Sequence, residues 1–293
     1  MKRIVLSGAG GFLGSHIVAH AQREGIPVLA ITTRTDVVAS DTVQVISTEC
    51  FLNGEQTLSS QDVFVNCMFP TNADGRRMAD GLQKVYEMIR TAGRCGAGSM
   101  INISSQSVYP SERKTAASET DLLSLETPYA VGKYSTEVFC DEVFQNRPHT
   151  GIRLASLLGI GYEQRIVNRM VSKALNGETL QVVGGMQRYG FLDVRDAAAG
   201  IVCMSQTDAT AWRAVYNLGA EGSCTLLEAA QLIVRLLQEK GYDAAYQVTD
   251  GTDERNSALC AELFMNDFSW KPALTLEQTV RDIIAHKLQD TEK

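Results

Sequence analysis

The sequence lacks long hydrophobic runs, blocks of like charge and paired-cysteine motifs. No stretch approaches about 18 consecutive apolar residues, which excludes a membrane-spanning helix, and the short apolar run at the N terminus lacks the pattern of a signal peptide. A formal net charge of −7 without a block of like charges excludes the basic footprint of a nucleic-acid-binding protein. Seven cysteines, an odd number without any C-x-x-C, predict reduced thiols and a cytoplasmic protein.

Short β-branched runs alternate with helical patterns along the first part of the chain. This alternation predicts an α/β protein with a doubly wound, Rossmann-type parallel sheet and helices on both faces. Because ligands of such sheets bind at the carboxyl ends of the strands, functional residues are expected at that edge. The runs that predict strands begin at Ile4, Val28, Val43, Val63, Met100 and Ile152, and helical patterns lie at 11–24, at 74–92 and from Thr127 onward.

After about residue 156 the alternation becomes irregular. We therefore expect a dinucleotide-binding domain over residues 1–160, with returns to its sheet around 190–220, and a smaller, mainly substrate-binding lobe over 161–293. Asp196 precedes three alanines and is interpreted as the N-cap of its helix. Helical patterns of this part lie at 166–176, 196–205, 225–240 and 276–287, with short strands at 180–183 and 215–218.

Glycines recur at three-residue intervals directly after the first predicted strand, in S-G-A-G-G-F-L-G. Gly8, Gly11 and Gly14 allow a tight turn, a close approach to a pyrophosphate and close packing of the following helix on the strand. That helix begins at Phe12 and Leu13, whose N–H groups and positive dipole favour phosphates. The pattern predicts a dinucleotide site, and the alternative is a plain glycine-rich turn.

The end of the second predicted strand reads I-T-T-R. Many NAD-binding proteins carry an acidic residue at this place for the ribose hydroxyls, whereas this chain has Arg34 two residues further on. A guanidinium pairs with a 2′-phosphate, so NADP is favoured as the cofactor. NAD remains possible if Arg34 is a solvated loop residue.

A hydroxyl-rich strand end and a later helix together suggest an active site. The helix opens in T-P-Y-A-V-G-K, where Thr127 suits the N-cap and Pro128 the first helical position. Tyr129 and Lys133 then lie one turn apart on one face. The spacing alone does not separate a catalytic pair from a pair on a helix surface.

The sequence I-S-S-x-x-V-Y, followed by P-Y-x-x-x-K, resembles the extended short-chain dehydrogenase/reductase family, of the nucleotide-sugar-modifying epimerase/dehydratase type. The resemblance covers nearly the whole chain, since it includes the glycine loop, F-L-D-V-R-D at 191–196 and Y-N-L-G at 216–219. It implies that Ser105 is the catalytic hydroxyl, Tyr129 the acid/base, and Lys133 the partner of Tyr129 and an anchor of the nicotinamide ribose. Physical chemistry agrees, because a nearby cation favours the phenolate of a tyrosine whose ordinary pKa is about 10.

Two departures from the family pattern bear on the reaction. Dehydratases of this family carry an acidic pair directly after the catalytic hydroxyl, but here Gln106 follows Ser105, so 4,6-dehydratase activity is not expected. The segment 156–160 replaces the usual N-x-Y-G-P. Gln106, Arg188 and Arg255 are candidate substrate-binding residues. Arg188 lies about one residue out of register with the family's phosphate-binding arginine, and a surface position is the alternative for Arg255.

These observations predict an NAD(P)-dependent oxidoreductase or epimerase that moves a hydride at a hydroxyl- or keto-bearing carbon of a nucleotide-sugar-like substrate. An epimerase would keep one bound cofactor, whereas a ketoreductase would consume NADPH at each turnover and fits Arg34 better. The alternatives are an NADPH-dependent ketoreductase of a small carbonyl or non-nucleotide substrate, and a non-catalytic NADP-sensing protein of the same fold. A lyase or a transferase also stays open.

The expected partners follow from the same reading. Family habit implies a homodimer through a helix bundle that includes the Tyr129 helix, and neither nucleic acid nor a membrane is expected as a partner. No metal site is expected, because His16 and His20 share a helix face without a third ligand in view.

Overall fold

The computed structural model describes residues 1–70 and 75–291. The first part of the chain alternates strands and helices, as the sequence predicts. Its elements are β1 (Ile4–Ser7), α1 (Phe12–Arg23), β2 (Val28–Thr32), β3 (Val43–Ser47), α2 (Thr48–Leu52), β4 (Val63–Asn66), α3 (Gly75–Cys95), β5 (Ser99–Ser105), α4 (Pro128–Phe144) and β6 (His149–Leu154).

The second part has shorter strands and more irregular connections. Its elements are β7 (Ser156–Leu158), α5 (Ile166–Leu175), β8 (Leu180–Val183), β9 (Arg188–Tyr189), β10 (Phe191–Asp193), α6 (Val194–Ser205), β11 (Val215–Leu218), β12 (Cys224–Thr225), α7 (Leu226–Gln238), β13 (Tyr246–Thr249), α8 (Glu262–Phe268) and α9 (Leu276–Thr291).

The central sheet contains seven strands within the described residues, all parallel, in the order β11-β6-β5-β4-β1-β2-β3. Helices cover both faces, with α1 packed against α6 on one side and α3 against α4 on the other. Successive residues of β1 therefore enter different cores: Ile4 and Leu6 join Ile17 of α1, whereas Val5 joins Met88 of α3. Burial on both faces explains the continuous apolar strands. The predicted doubly wound, Rossmann-type α/β class is confirmed.

A third core lies beyond the central sheet, among α5, α7, α9 and β8. Its buried members include Val167, Leu180, Ile233 and Ile283. Three two-stranded ladders accompany it, namely β10 with β7, β12 with β9 and β13 with β8. The chain returns to the main sheet at β11, which pairs in parallel with β6.

Two predicted helix boundaries need comment. The helix predicted over 74–92 is α3, which extends to Cys95, and its predicted start at Asp74 lies outside the described residues. The prediction that Asp196 caps its helix is wrong. Asp193 is the cap, accepting from the Arg195 N–H at 2.8 Å, and the Asp196 carboxylate instead accepts from the N–H groups of 273–274 at 3.1 and 2.9 Å. These donors are more than 70 residues away along the chain, so no local pattern indicates them.

Within the part of the chain that the structure describes, no helix is long and apolar enough to cross a membrane.

Candidate active site

The glycine loop between β1 and α1 has the shape that its spacing predicts. Gly8 has φ +71°, and a Cβ on it would lie 3.0 Å from the Met68 backbone nitrogen. A Cβ on Gly14 would lie 2.2 Å from the Gly8 carbonyl oxygen, so only glycine lets α1 pack this closely. Gly11 is the N-cap residue of α1 and offers no side-chain cap, so the loop and the first N–H groups of the helix form a cradle for an anion.

Arg34 lies beside this loop, at the end of β2. A Cβ on Gly10 would lie 2.7 Å from both Arg34 Cδ and Thr32 Oγ1, so the arginine stem packs over the loop backbone. The guanidinium is exposed and pairs with Asp36, with Nε 2.9 Å from Oδ1. The sequence prediction did not include Asp36, although its position two residues after Arg34 is visible in the sequence. The surface beside the glycine loop therefore carries both a cation and a carboxylate.

Local sequence places Ser105 and Tyr129 at the carboxyl edge of the sheet. Ser105 ends β5, and its Oγ accepts from the Ser107 N–H at 3.2 Å and lies 2.8 Å from Ser107 Oγ. Tyr129 lies in the first turn of α4, where Thr127 Oγ1 accepts from the Ala130 N–H at 3.1 Å. The predicted N-cap is confirmed. The Ser105 hydroxyl is close enough to that of Tyr129 to act to lower its pKa.

Lys133 lies one turn after Tyr129 and is 6% exposed. Its Nζ donates to the Ile103 carbonyl at 3.0 Å, lies 4.2 Å from the centroid of the Phe69 ring and lies 5.9 Å from that of the Tyr129 ring. Burial lowers the pKa of Lys133 to about 8, against the opposing influence of Cys67 and of a carboxylate on the next turn of α4. In the ligand-free protein this ammonium is therefore held at an energetic cost.

Tyr129 is 40% exposed, and its ring meets Phe69 edge-on at 5.2 Å between centroids. Removal of the hydroxyl from water raises the pKa of Tyr129, while the nearby Ser105 hydroxyl and the charge of Arg165 oppose that rise. Arg165 is not among the residues predicted from the sequence. The ligand-free protein consequently holds Tyr129 in its protonated form.

A buried ion pair fixes α4 against the sheet. Arg153 of β6 donates to the Glu137 carboxylate through Nε at 3.1 Å and Nη2 at 2.9 Å, and Ser104 Oγ donates to the same carboxylate. Arg153 Nη1 also donates to the Tyr109 hydroxyl at 2.9 Å. Glu137 lies one turn after Lys133, so this network sets the rotation of the helix that carries Tyr129 and Lys133. The sequence prediction missed it because its members come from separate elements.

A second buried chain of hydrogen bonds links the glycine-loop strand to the same helix. Ser7 Oγ donates to Asn66, Asn66 to Asn102, and Asn102 to Thr136 Oγ1, at 2.8, 2.9 and 3.0 Å. Thr136 in turn donates to the Lys133 carbonyl at 2.8 Å. The chain crosses β1, β4 and β5, so the cradle and the Tyr129 helix are held in one rigid frame.

A match to a protein-family model agrees with these observations. The model of the NAD-dependent epimerase/dehydratase family matches residues 4–219. The chain belongs to this family. The resemblance to epimerases and dehydratases that the sequence motifs indicate is thereby confirmed.

Individual members of the family resemble the chain more distantly. The dTDP-4-dehydrorhamnose reductase of Mycobacterium tuberculosis is 30% identical over 118 residues, which are 37% of this chain and only about a third (34%) of that reductase. The dTDP-4-dehydro-6-deoxy-D-allose reductase of Streptomyces bikiniensis is 24% identical over 80% of this chain and 81% of its own length. A solved structure of a mutant UDP-glucuronic acid 4-epimerase from Bacillus cereus, in complex with UDP-4-deoxy-4-fluoro-glucuronic acid and NAD, has a TM-score of 0.82 at 18% identity and covers 98% of this chain and 99% of its own.

The three candidate substrate residues lie in two places. Gln106 follows Ser105 directly, in a short 3₁₀ turn, and its Oε1 lies 3.4 Å from Arg113 Nη2. Arg188 and Arg255 are brought together, since the Arg188 N–H donates to the Arg255 carbonyl at 2.8 Å. Both side chains are exposed, and Arg255 pairs with Asp253. The backbones of the two arginines are therefore adjacent, whereas Gln106 lies beside Ser105.

A cavity of about 440 Å³ lies between β9, β10 and the start of α9. Its floor contains the parallel rings of Tyr189 and Phe191, with centroids 5.2 Å apart. Ser105, Tyr129 and Lys133 do not line it. The three candidate catalytic residues thus lie outside this partly open cavity.

Proposed function

We propose that the protein is an NAD(P)-dependent oxidoreductase that moves a hydride at a hydroxyl- or keto-bearing carbon of a nucleotide-sugar-like substrate. The observation that carries the proposal is the placement of Ser105 at the carboxyl end of β5 and of Tyr129 in the first turn of α4, with the Lys133 ammonium buried 5.9 Å from the Tyr129 ring centroid. The tight glycine loop, where a Cβ on Gly8 or Gly14 would meet backbone atoms, and the uncapped first N–H groups of α1 fit a dinucleotide pyrophosphate. Lys133 fits the nicotinamide ribose. When bound, the nicotinamide ring supplies or accepts the hydride.

The proton accompanies the hydride through this chain's own side chains. In the oxidative direction the substrate O–H proton passes to the Tyr129 oxygen, and in the reductive direction Tyr129 returns it to the forming alkoxide. Ser105 Oγ accepts from the Ser107 N–H, so its own proton is available to donate to the same substrate oxygen. Lys133 adds positive charge near the phenolate. No carboxylate follows Ser105 directly, which argues against elimination of water.

We favour a reductase that uses NADPH. Arg34, packed over Gly10, is positioned to pair with a 2′-phosphate, and curated relatives are named as reductases of dTDP-keto sugars. An epimerase is the second candidate, because the solved epimerase structure matches nearly the whole chain in fold. A reductase would consume NADPH at each turnover, whereas an epimerase would keep one bound cofactor without net consumption.

The decisive experiment identifies the dinucleotide that co-purifies with the protein and then follows nicotinamide absorbance with a panel of keto and hydroxy nucleotide sugars. Steady NADPH consumption supports the reductase, and tightly bound NAD without net turnover supports the epimerase. Tyr129→Phe should lower kcat by at least about 100-fold, because it removes the proton-transfer group. Tyr134→Phe on the same helix is the matched control and should retain kcat. Unchanged turnover by Tyr129→Phe would refute the proposal.

We also propose a homodimer through α4. Val131 and Val138 lie two turns apart on this helix and are each 46% exposed, which gives α4 an apolar outer face. Size-exclusion chromatography with light scattering should give twice the chain mass, and Val138→Lys should give the monomer. A monomeric native protein would contradict this part.

A further inference from the structure

The loop between β7 and α5, residues 159–165, packs on the start of α1, beside the glycine loop. The Tyr162 ring lies 4.3 Å from the Phe12 ring, measured between centroids. A Cβ on Gly159 would lie 3.2 Å from Phe12 Cζ and 2.7 Å from Val194 Cγ1, so glycine is needed for this close approach. The end of the segment that departs from the family's N-x-Y-G-P therefore lies at the candidate cofactor cradle.

Hydrogen bonds fix this loop at both of its ends. The buried Asn168 side chain of α5 donates to the Gly159 carbonyl at 3.0 Å. At the other end the Arg165 N–H donates to the Tyr162 carbonyl at 3.1 Å, and the Arg165 Cζ lies 4.7 Å from the centroid of the Tyr162 ring. Tyr162 therefore contacts both Phe12 and the Arg165 cation, and it ties this charge to the start of α1.

The Arg165 guanidinium lacks a counter-charge within the described part of the chain. Its Nε is buried without a hydrogen-bond partner, and no carboxylate of the described residues lies within ion-pair distance of it. Glu163, the acidic residue of the same loop, pairs with Lys287 of α9 instead. Because a guanidinium stays charged when it is partly buried, a donor left open in this way favours an anion that arrives with a ligand.

The start of α1 has the same electrostatic preference. Its first turn contains no acidic residue, and Gly11 provides no side-chain cap for the first N–H groups. Free N–H groups and the helix dipole favour a phosphate at this end. A phosphate bound there therefore has a second source of positive charge in Arg165, which comes from a separate element.

We propose that Arg165 binds the diphosphate of the dinucleotide, together with the first N–H groups of α1. This inference rests on the proposed cofactor-dependent function and adds a residue to that site. A guanidinium suits the group because its paired donors match two phosphate oxygens.

A nucleotide-sugar substrate also carries a diphosphate, so the choice between the two ligands needs a reason. The arginines that are candidates for the substrate, Arg188 and Arg255, are joined to each other at β9. The contacts of the 159–165 loop lead instead to Phe12 at the start of α1. The dinucleotide is therefore the expected ligand of Arg165.

The test is a calorimetric titration of the ligand-free protein with NADP and, separately, with NAD. Arg165→Met keeps an unbranched side chain beside Tyr162 but removes the charge, and it should raise both dissociation constants by roughly tenfold or more. Both dinucleotides should be affected alike, because both contain the diphosphate. Arg169→Met removes an exposed arginine one turn further along the chain and should leave both constants unchanged.

Two more variants separate the charge from the folding of any one variant. Arg165→Gln, which is also neutral, should lose affinity as Arg165→Met does. Arg165→Lys keeps the charge without the paired donors, and it should bind both dinucleotides more tightly than the neutral variants do. Binding by the native protein should also weaken more steeply with added salt than binding by Arg165→Met.

Titration with UDP or dTDP alone distinguishes the two sources of a diphosphate, and Arg165→Met should bind these nucleotides as the native protein does. Unchanged dinucleotide affinity in both neutral variants would overturn the proposal, and so would a loss confined to NADP or to the nucleoside diphosphates. A native protein that binds neither dinucleotide would refute the proposed function as well. Full activity in Tyr129→Phe would refute the acid/base chemistry and leave the Arg165 contact standing.

Discussion

Replacing Lys133 by methionine should stabilise the ligand-free fold while abolishing activity. The ammonium is 6% exposed, and burial lowers its pKa from an ordinary 10.5 to about 8. An unfolded chain therefore binds this proton more tightly than the folded protein does. Lys133→Met removes the free-energy cost of burying this ammonium and so stabilises the fold, but it also removes a group that the proposed function needs.

The size of the expected stabilisation follows from the lowered pKa of Lys133. A depression from 10.5 to about 8 corresponds to roughly 3 kcal/mol, present in full below pH 8 and lost as the pH rises to about 10.5, where both states are neutral. Loss of the hydrogen bond to the Ile103 carbonyl, which a neutral amine also donates, offsets about 1–2 kcal/mol of the gain at every pH. The net expectation is a gain of about 1–2 kcal/mol at pH 7 and a small loss near pH 10.

The assay is urea unfolding of native protein and variant at intervals from pH 7 to pH 10. The difference between the two pH extremes isolates the protonation effect, since the lost contacts contribute equally at both. Lys84→Met, on an exposed position of α3, is the control and should change stability by less than about 0.5 kcal/mol throughout. A stability difference for Lys133→Met that does not vary with pH would refute the reasoning.

Two further predictions concern the supporting ion pairs. Arg153→Met leaves the buried Glu137 carboxylate without its cation and should lower the free energy of unfolding, measured in urea, by about 3–5 kcal/mol. The double variant Arg153→Met with Glu137→Leu should recover most of this loss, because it removes the unpaired charge as well. Equal destabilisation of the single and the double variant would contradict this prediction. Asp36→Asn releases the Arg34 guanidinium and should tighten NADP binding several-fold in calorimetry, with little change for NAD and a smaller effect at high salt. Equal changes for the two dinucleotides would rule out the phosphate-pairing role of Arg34.

Local patterns account for much of what the sequence predicted correctly. The strands are short, apolar and β-branched because both faces of the sheet are covered, and β1 shows this by sending Val5 and Leu6 into different cores. The start of α4 was predictable because a threonine cap and a first-turn proline act within four residues. The Gly8 conformation also follows from a local requirement, since its φ of +71° favours glycine.

Non-local contacts account for what the sequence did not reveal. The cap of α6 was misassigned to Asp196 because the N–H groups that this carboxylate accepts from lie near residue 273. The pairing of Glu137 with Arg153 joins a helix to a strand, and neither residue has a distinctive local pattern. The position of Arg165 against Tyr162 depends on how the β7–α5 loop packs over Phe12 through Tyr162.

The sequence by itself determined the alternation of strands and helices, the glycine loop, and the residue types Ser105, Tyr129 and Lys133 that indicate the family. Each of these features depends on residues only a few positions apart, whose local structure is set by backbone conformation and helix spacing. Only the tertiary structure decided which charges surround Tyr129 and how deeply Lys133 is buried. Burial and electrostatic interactions depend on tertiary packing, because the groups that surround these two side chains come from β4, β5, β6 and the β7–α5 loop.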